Sequence, residues 1–311
     1  MTNPVIKSVI STSAQQLLRN YERHLSEALD LRPATIRNYV SDLRGFMAWC
    51  EQTWQEDDGL AVFSPERVAT PTVTRYRDYL QHDAGRKPNT VNRYLVSIKR
   101  YFSWANDEEL IMRDPARPVK LVAQIPRAPR HLSDQDEEAL LTAVSRSGNL
   151  RDATLITLLL HTGLRVSELC NLKWEHVLRQ KRSGYLRVWG KRNKYREVPL
   201  NVTARSALEK YEKEGSLEGE MGPHIFVSQR TGTKLTPRGV GYILTKYAKQ
   251  AGVMNLRLHD LRHRFGYRMA ERTPLHRLAQ IMGHDSLDTT MLYVKGTQQD
   301  LQQAVETIAW E

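Results

Sequence analysis

Cysteine is nearly absent: only Cys50 and Cys170 occur in 311 residues, each inside an apolar helical pattern. That excludes a small disulfide-stapled scaffold and suits buried, reduced thiols in a reducing compartment. Long apolar runs are missing too. The longest nearly apolar stretch, Ala153 to Leu160, has eight residues, whereas a membrane-spanning helix needs about 20. The opening string MTNPVIKSVISTS has no basic start followed by an apolar block and a small-residue cleavage site. No secretory signal is expected, and the predicted location is cytoplasmic. Metal-ligand patterns are scarce: His259 and His263 stand four apart, but the string lacks the glutamate of H-E-x-x-H and a third ligand. Gly184 to Lys191 is no phosphate-binding loop either, because Arg192 stands where that loop needs Ser or Thr.

Acidic side chains are in deficit, 35 Asp+Glu against 46 Lys+Arg, for a net charge of +11. A basic balance of this size favours an acidic partner such as nucleic acid. The excess is uneven: residues 1–120 hold 17 basic and 15 acidic side chains, and residues 121–311 hold 29 and 20.

What is present reads first as a cluster of helices. Ala14, Leu17, Leu18, Tyr21, Leu25 and Leu29 recur at spacings of three and four. From about Pro33 to Cys50 the apolar positions Ile36, Tyr39, Val40, Leu43, Phe46, Met47 and Cys50 oppose a face with Arg37, Ser41 and Arg44. Thr70-Pro71 predicts an N-cap followed by a first-turn proline. A fourth helix, about Asn89 to Ala105, is expected to bury Val91, Tyr94, Leu95, Ile98 and Phe102 and to turn Asn92, Arg93, Ser97 and Arg100 outward. Gly85 to Phe102 holds Arg86, Lys87, Arg93, Lys99 and Arg100 with no acidic residue. With Arg37 and Arg44 these are the candidate DNA-binding residues, the alternative being an ordinary solvated helix face.

The helical periodicity then stops in a proline- and arginine-rich stretch, RDPARPVKLVAQIPRAPR, which predicts an extended basic linker. The expected organisation is therefore a helical domain at 11–112, a linker at 113–131 and a second domain at 132–311. In the second domain Ser133 with Asp136 marks a helix start. An apolar helix at about Asn149 to Thr162 stops at Gly163, so that Arg165 sits just past a buried helix. Tyr185 to Trp189 and Arg196 to Leu200 predict a β-hairpin with a lysine-rich tip. Further helices are expected at 202–214, 237–250, 259–271 and 274–282, with Thr236 and Thr273 as N-caps. The fold class is mainly α with a small β-sheet.

Four strings stand out in this second domain: HTGLRVSEL around Arg165, GKRNKYREVPL around Lys191, HDLRHRFG around His259 and Arg262, and MGHDSLDTTMLYV around His284 and Tyr293. Each alone is weak; His176-Val-Leu-Arg179 shows that H-x-x-R arises outside any such set. Their order carries the weight. In that order the chain resembles the tyrosine recombinase, or phage integrase, family, and its compact Xer-like members most. ATIRNYVSDLRGFMAWC and KPNTVNRYLVSIKRYFSWA resemble the helical core-binding domain of such enzymes.

The resemblance implies a SAM-like helical domain and an α+β catalytic domain that clamp double-stranded DNA at inverted-repeat sites. It also implies a homo-tetramer on two DNA sites, with the apolar stripe Leu301, Ala304, Val305 and Ile308 of the C-terminal tail docking on a neighbouring subunit; any accessory factor is left open. It places the catalytic arginines on Arg165 and Arg262, the lysine on Lys191, the histidines on His259 and His284, and the nucleophile on Tyr293. Lys194 is the alternative to Lys191 and otherwise a further candidate DNA-binding residue. Departures from the family's pattern are Arg192, Tyr195, Arg264 and Tyr267, expected to alter the hairpin tip and helix surface but not the chemistry.

That chemistry is physically coherent. Attack on a phosphodiester builds negative charge on non-bridging oxygens, which forked guanidinium donors can meet. A tyrosine hydroxyl, with an ordinary pKa near 10, needs a base or surrounding positive charge, and His259 is the expected base. His284 is expected to orient the phosphate and Lys191 to protonate the departing 5′ oxygen. A covalent intermediate conserves the bond energy, so neither ATP, metal nor another cofactor is required. A non-catalytic DNA-binding protein and a type IB topoisomerase are the competing readings.

Overall fold

The computed structural model describes residues 9–58, 62–124, 130, 132–190, 195–217, 222–284 and 286–293. The chain divides into two compact units, Met1–Pro126 and Arg127–Glu311. The division falls inside the expected linker.

The first unit contains α1 (Thr12–Glu27), α2 (Pro33–Asp58), α3 (Thr70–His82) and α4 (Pro88–Asp107). Its core is built from the apolar stripes of these helices and is rich in aromatic rings: Phe46 meets Phe63, Tyr76 and Phe102 edge-on at 5.0–6.2 Å. Cys50 is buried and unpaired. Two readings of α4 are corrected here. Asn92 and Ser97 point inward, not outward. The Ser97 hydroxyl and the Arg93 guanidinium both donate to the buried carboxylate of Asp42, at 2.9 and 2.6 Å. A buried charge requires such partners, and they draw polar residues of α4 into the interior.

Asn92 brackets Val122, donating to its carbonyl at 2.9 Å and accepting from its N–H at 2.8 Å. Lys99 donates to the carbonyls of Ala116 and Arg117, and Thr70 to that of Pro115. Ala116 and Val119 are buried. The first part of the proline-rich stretch is therefore irregular but packed, because side chains supply the backbone partners that proline-broken structure cannot. Thr70 is consequently the first helical residue, and Ala69 is the N-cap.

The second unit runs α5 (Asp134–Arg146), α6 (Leu150–Thr162), α7 (Val166–Cys170), β1 (Val177–Arg179), β2 (Gly184–Trp189), β3 (Tyr195–Pro199), α8 (Val202–Leu217), α9 (Pro237–Gln250), α10 (Leu258–Ala270), α11 (Leu275–Met282) and α12 (Leu287–Met291). The strands form one antiparallel sheet in the order β1-β2-β3, with Trp189 opposite Tyr195 at the turn end of the β2-β3 hairpin. Ser133 caps α5 and Thr236 caps α9 through their side chains, whereas Pro274, not Thr273, occupies the cap of α11. The apolar α6 is sheathed by α5, α8 and α10, and its leucines form the centre of the unit's core.

Helix α6 ends at Gly163 with φ 61°, a left-handed conformation that L residues avoid. A Cβ there would also lie 2.3 Å from Phe265 Cδ1. Backbone strain and overpacking together should make Gly163→Ala cost about 2–4 kcal/mol. A calorimetric scan is expected to show the second unit melting earlier, with the first unit unaffected.

Candidate active site

Two glycine turns and the face of one helix bring the strings together. Gly163 reverses the chain after α6, so Arg165 becomes the N-cap of α7. Glu168, in the first turn, accepts from the Arg165 N–H at 2.8 Å and from its Nη1 at 3.0 Å. Glu168 also receives a bidentate pair from Arg196 of β3, at 3.0 and 2.9 Å. Burial pushes the Glu168 carboxyl up, but the Arg196 hydrogen bonds and charge, with Arg165, outweigh it and hold it below the usual range. It is the anionic strut between two cations.

Both cations also reach the end of α11, which Gly283 closes with φ 65°. Its carbonyl accepts from Arg165 Nη2 at 2.8 Å, and Arg196 Nε donates to the Ile281 carbonyl at 2.9 Å. A Cβ on Gly283 would sit 2.8 Å from the Arg196 guanidinium, so the close approach as well as the turn requires glycine.

Helix α10 presents His259, Arg262 and His263 at the spacing that shares one helical face. Arg262 is 3% exposed. It donates to the carbonyls of Gly163, at 2.5 Å, and Met282, at 2.8 Å, two of the five N–H groups a guanidinium offers. Burial and the neighbouring Arg165 charge push its pKa down to about 10, so it remains a cation at neutral pH. Arg262 is thus the floor and half-exposed Arg165 the lip of an electropositive pocket.

Tyr293 follows α12 and is buried. Burial raises its phenol above the ordinary value, against the lowering influence of Arg262 and Arg165. Its hydroxyl is hydrogen-bonded to His263 Nδ1 at 3.0 Å. His284 lies nearly parallel to the tyrosine ring at 6.3 Å, and its Nδ1 pairs with the buried Thr290 hydroxyl at 2.8 Å. His259 is edge-on to His263 at 4.6 Å.

Arg165, His259, Arg262, His284 and Tyr293 therefore meet in one place. Lys191 and Lys194 lie outside the described residues, as does the tail after Tyr293. Among the other nominated cations, Arg37, Arg86 and Lys87 are exposed and Arg44 is half-exposed. Arg93 is engaged by Asp42, Lys99 by two carbonyls, and Arg100 lies over the Tyr39 ring at 5.3 Å. No metal-ligating cluster occurs among the described residues, and no described helix is long and apolar enough to cross a membrane.

Sequence reasoning missed Glu168, Arg196 and His263. The signal for Glu168 was its place three residues after Arg165, within capping reach; for His263 it was the shared face with His259. Tyr267, read as a surface departure, instead packs edge-on against Tyr293 at 5.3 Å. Arg264 is also no surface residue: it is buried, paired with Glu137 at 2.5 Å and with Asp134.

Burial, then the charge of His259, pushes His263 down to about 4; burial, then Arg262, does the same to His284. Both rings are neutral at pH 7. Because the unfolded chain binds these protons near pH 6.5 and the folded one does not until about pH 4, their contribution to stability is lost as pH falls through that window. Thermal melts of the His263→Gln/His284→Gln double variant should consequently fall less steeply than the wild type between pH 6.5 and 4.

Comparison with known proteins bears on the family and the fold. The phage integrase family matches residues 130–300. Tyrosine recombinase XerC of Thermodesulfovibrio yellowstonii is 32% identical over 309 residues, covering 95% of each chain. Tyrosine recombinase XerA of Pyrococcus horikoshii is 33% identical over 228 residues, 72% of this chain and 75% of its own. Among solved structures, the pre-cleavage complex of XerH site-specific recombinase with difH substrate superposes with a TM-score of 0.70 at 20% identity, over 96% of this chain and 85% of that one. The Tn1549 transposon integrase in complex with circular intermediate DNA gives 0.71 at 20% identity, over 94% and 98%; both likenesses speak to the fold. The chain belongs to the phage integrase family, the tyrosine recombinases.

Proposed function

We propose that this chain is a site-specific DNA recombinase that cleaves and rejoins double-stranded DNA through a 3′-phosphotyrosyl intermediate. The observation that carries the reading is the buried Tyr293 beside Arg165 and Arg262, with the neutral imidazoles of His263 and His284 around it and the Glu168 carboxylate already engaged by Arg165 and Arg196. Such a pocket accepts a phosphodiester and the additional charge of its transition state.

In the reaction the Tyr293 oxygen attacks phosphorus and the bond to the 5′ oxygen breaks. Arg165 and Arg262 meet the non-bridging oxygens, and His284, oriented by Thr290, hydrogen-bonds the phosphate. His259 is the base that takes up the tyrosyl proton, and Lys191 supplies one to the leaving oxygen. Religation by another 5′ hydroxyl reverses each transfer. The substrate is a duplex with inverted-repeat sites, and the exposed Arg37, Arg86 and Lys87, with Arg44, contact its phosphates. A homo-tetramer joined by C-terminal tails would align two such sites.

The test is a nicked duplex, selected for binding by this protein from a random pool. Incubation should yield a protein-DNA adduct that survives denaturant and is indifferent to chelator, while Tyr293→Phe binds the duplex and yields none. Normal adduct from Tyr293→Phe, or loss of the wild-type adduct with chelator, would refute the reading.

A further inference from the structure

The functional face of α10 continues beyond Arg262. His263, Gly266 and Tyr267 occupy the next turn, and the Tyr293 ring rests on all three. Its hydroxyl is hydrogen-bonded to His263 Nδ1 at 3.0 Å, and Tyr267 closes on it edge-to-face at 5.3 Å and 83°. Gly266 lies beneath the ring: a Cβ there would stand 2.6 Å from Cζ, 2.7 Å from Cε1 and 2.8 Å from Cε2. Those distances are too short for any side chain.

Glycine in mid-helix is unfavourable, by roughly 0.5–1 kcal/mol relative to alanine. The backbone at Gly266 does not require it, since its φ is not positive. What requires it is the tyrosine ring. Arg262 and Arg165 are close enough to act electrostatically on the seated phenol, and His284 flanks it, so the seat lies within the catalytic constellation.

We infer that His263, Gly266 and Tyr267 form a seat that holds Tyr293 in its working position, His263 accepting from the hydroxyl and Gly266 letting the ring lie against the helix. All three are positioning residues, and their role in cleavage rests on the proposed nucleophilic function of Tyr293. The depressed basicity of His263 keeps its ring neutral at pH 7, and in the tautomer protonated at Nε2 its Nδ1 lone pair takes this bond.

The full chain labelled with carbon-13 at the tyrosine ζ position tests the seat directly, Tyr293→Phe identifying the resonance. In the free protein, Gly266→Ala and His263→Ala should each shift the Tyr293 signal. His263→Asn, whose amide oxygen can take the place of Nδ1, should return it toward the wild-type position. On the selected nicked duplex, both disrupting variants should form adduct about 10- to 100-fold more slowly with duplex binding unchanged, the scale expected for a misplaced nucleophile. His263→Asn should recover most of the rate. Should Gly266→Ala fail to fold, the Ala and Asn variants of His263 decide alone. A Tyr293 resonance indifferent to the disrupting variants, or adduct formed by them at the wild-type rate or faster, overturns the seat. Adduct from Tyr293→Phe would instead remove the nucleophile reading, and the resonance shifts would still judge the seat.

Discussion

Arg262→Ala is expected to lower the rate of adduct formation by about 10²–10³-fold, the range found when one preorganised donor to a developing oxyanion is removed. The floor position explains the size. At 3% exposure, Arg262 acts where water cannot replace it, and its bonds to Gly163 and Met282 hold it there in advance. Arg262→Lys should recover little, because a single ammonium cannot span two carbonyls and present a fork to phosphate. Single-turnover cleavage with saturating protein separates this effect from DNA affinity. A loss confined to binding, with the cleavage rate intact, would place Arg262 in DNA recognition instead.

Lys191→Ala should be slowed comparably, within the 10²–10⁴-fold span of general acid catalysis, but in a way that the leaving group can cancel. Replacing the bridging 5′ oxygen with sulfur lowers the leaving group's pKa by several units, as alcohol and thiol acidities differ, so its protonation becomes unnecessary. Lys191→Ala is expected to be largely restored on that substrate. Lys194→Ala should be mildly and equally affected on both, and Arg262→Ala should stay defective on both because its charge serves the non-bridging oxygens. Selective rescue of Lys194→Ala would transfer the acid role to that residue.

Much of this site was legible in the sequence because its residues sit where local signals are strong. Gly163 and Gly283 mark helix ends, and Arg165 and His284 stand beside them; His259 and Arg262 share a helical face by their spacing alone. What was not legible depends on contacts distant in sequence. Arg196 becomes meaningful only when β3 is laid beside Glu168, 28 residues earlier. Gly266 and Tyr267 become meaningful only when Tyr293 folds back onto α10. In the first unit, the three- and four-residue spacing of apolar residues placed the helices, but Asp42 reversed the orientation expected of Ser97. A buried carboxylate recruits partners that hydrophobic periodicity cannot anticipate. The proline-rich stretch misled for a related reason: lacking regular structure, it still packs where Asn92 and Lys99 satisfy its backbone.

The central claim, that Tyr293 becomes joined to the 3′ phosphate of a cleaved strand, can be measured at the level of the bond. Adduct trapped on the selected nicked duplex would be digested with protease and nuclease and sequenced by mass spectrometry. The account predicts one modified peptide carrying a nucleotide 3′-phosphate on Tyr293, with a free 5′ hydroxyl on the released strand. A phosphoryl group on any other residue, or a 5′-phosphate linkage, would contradict it.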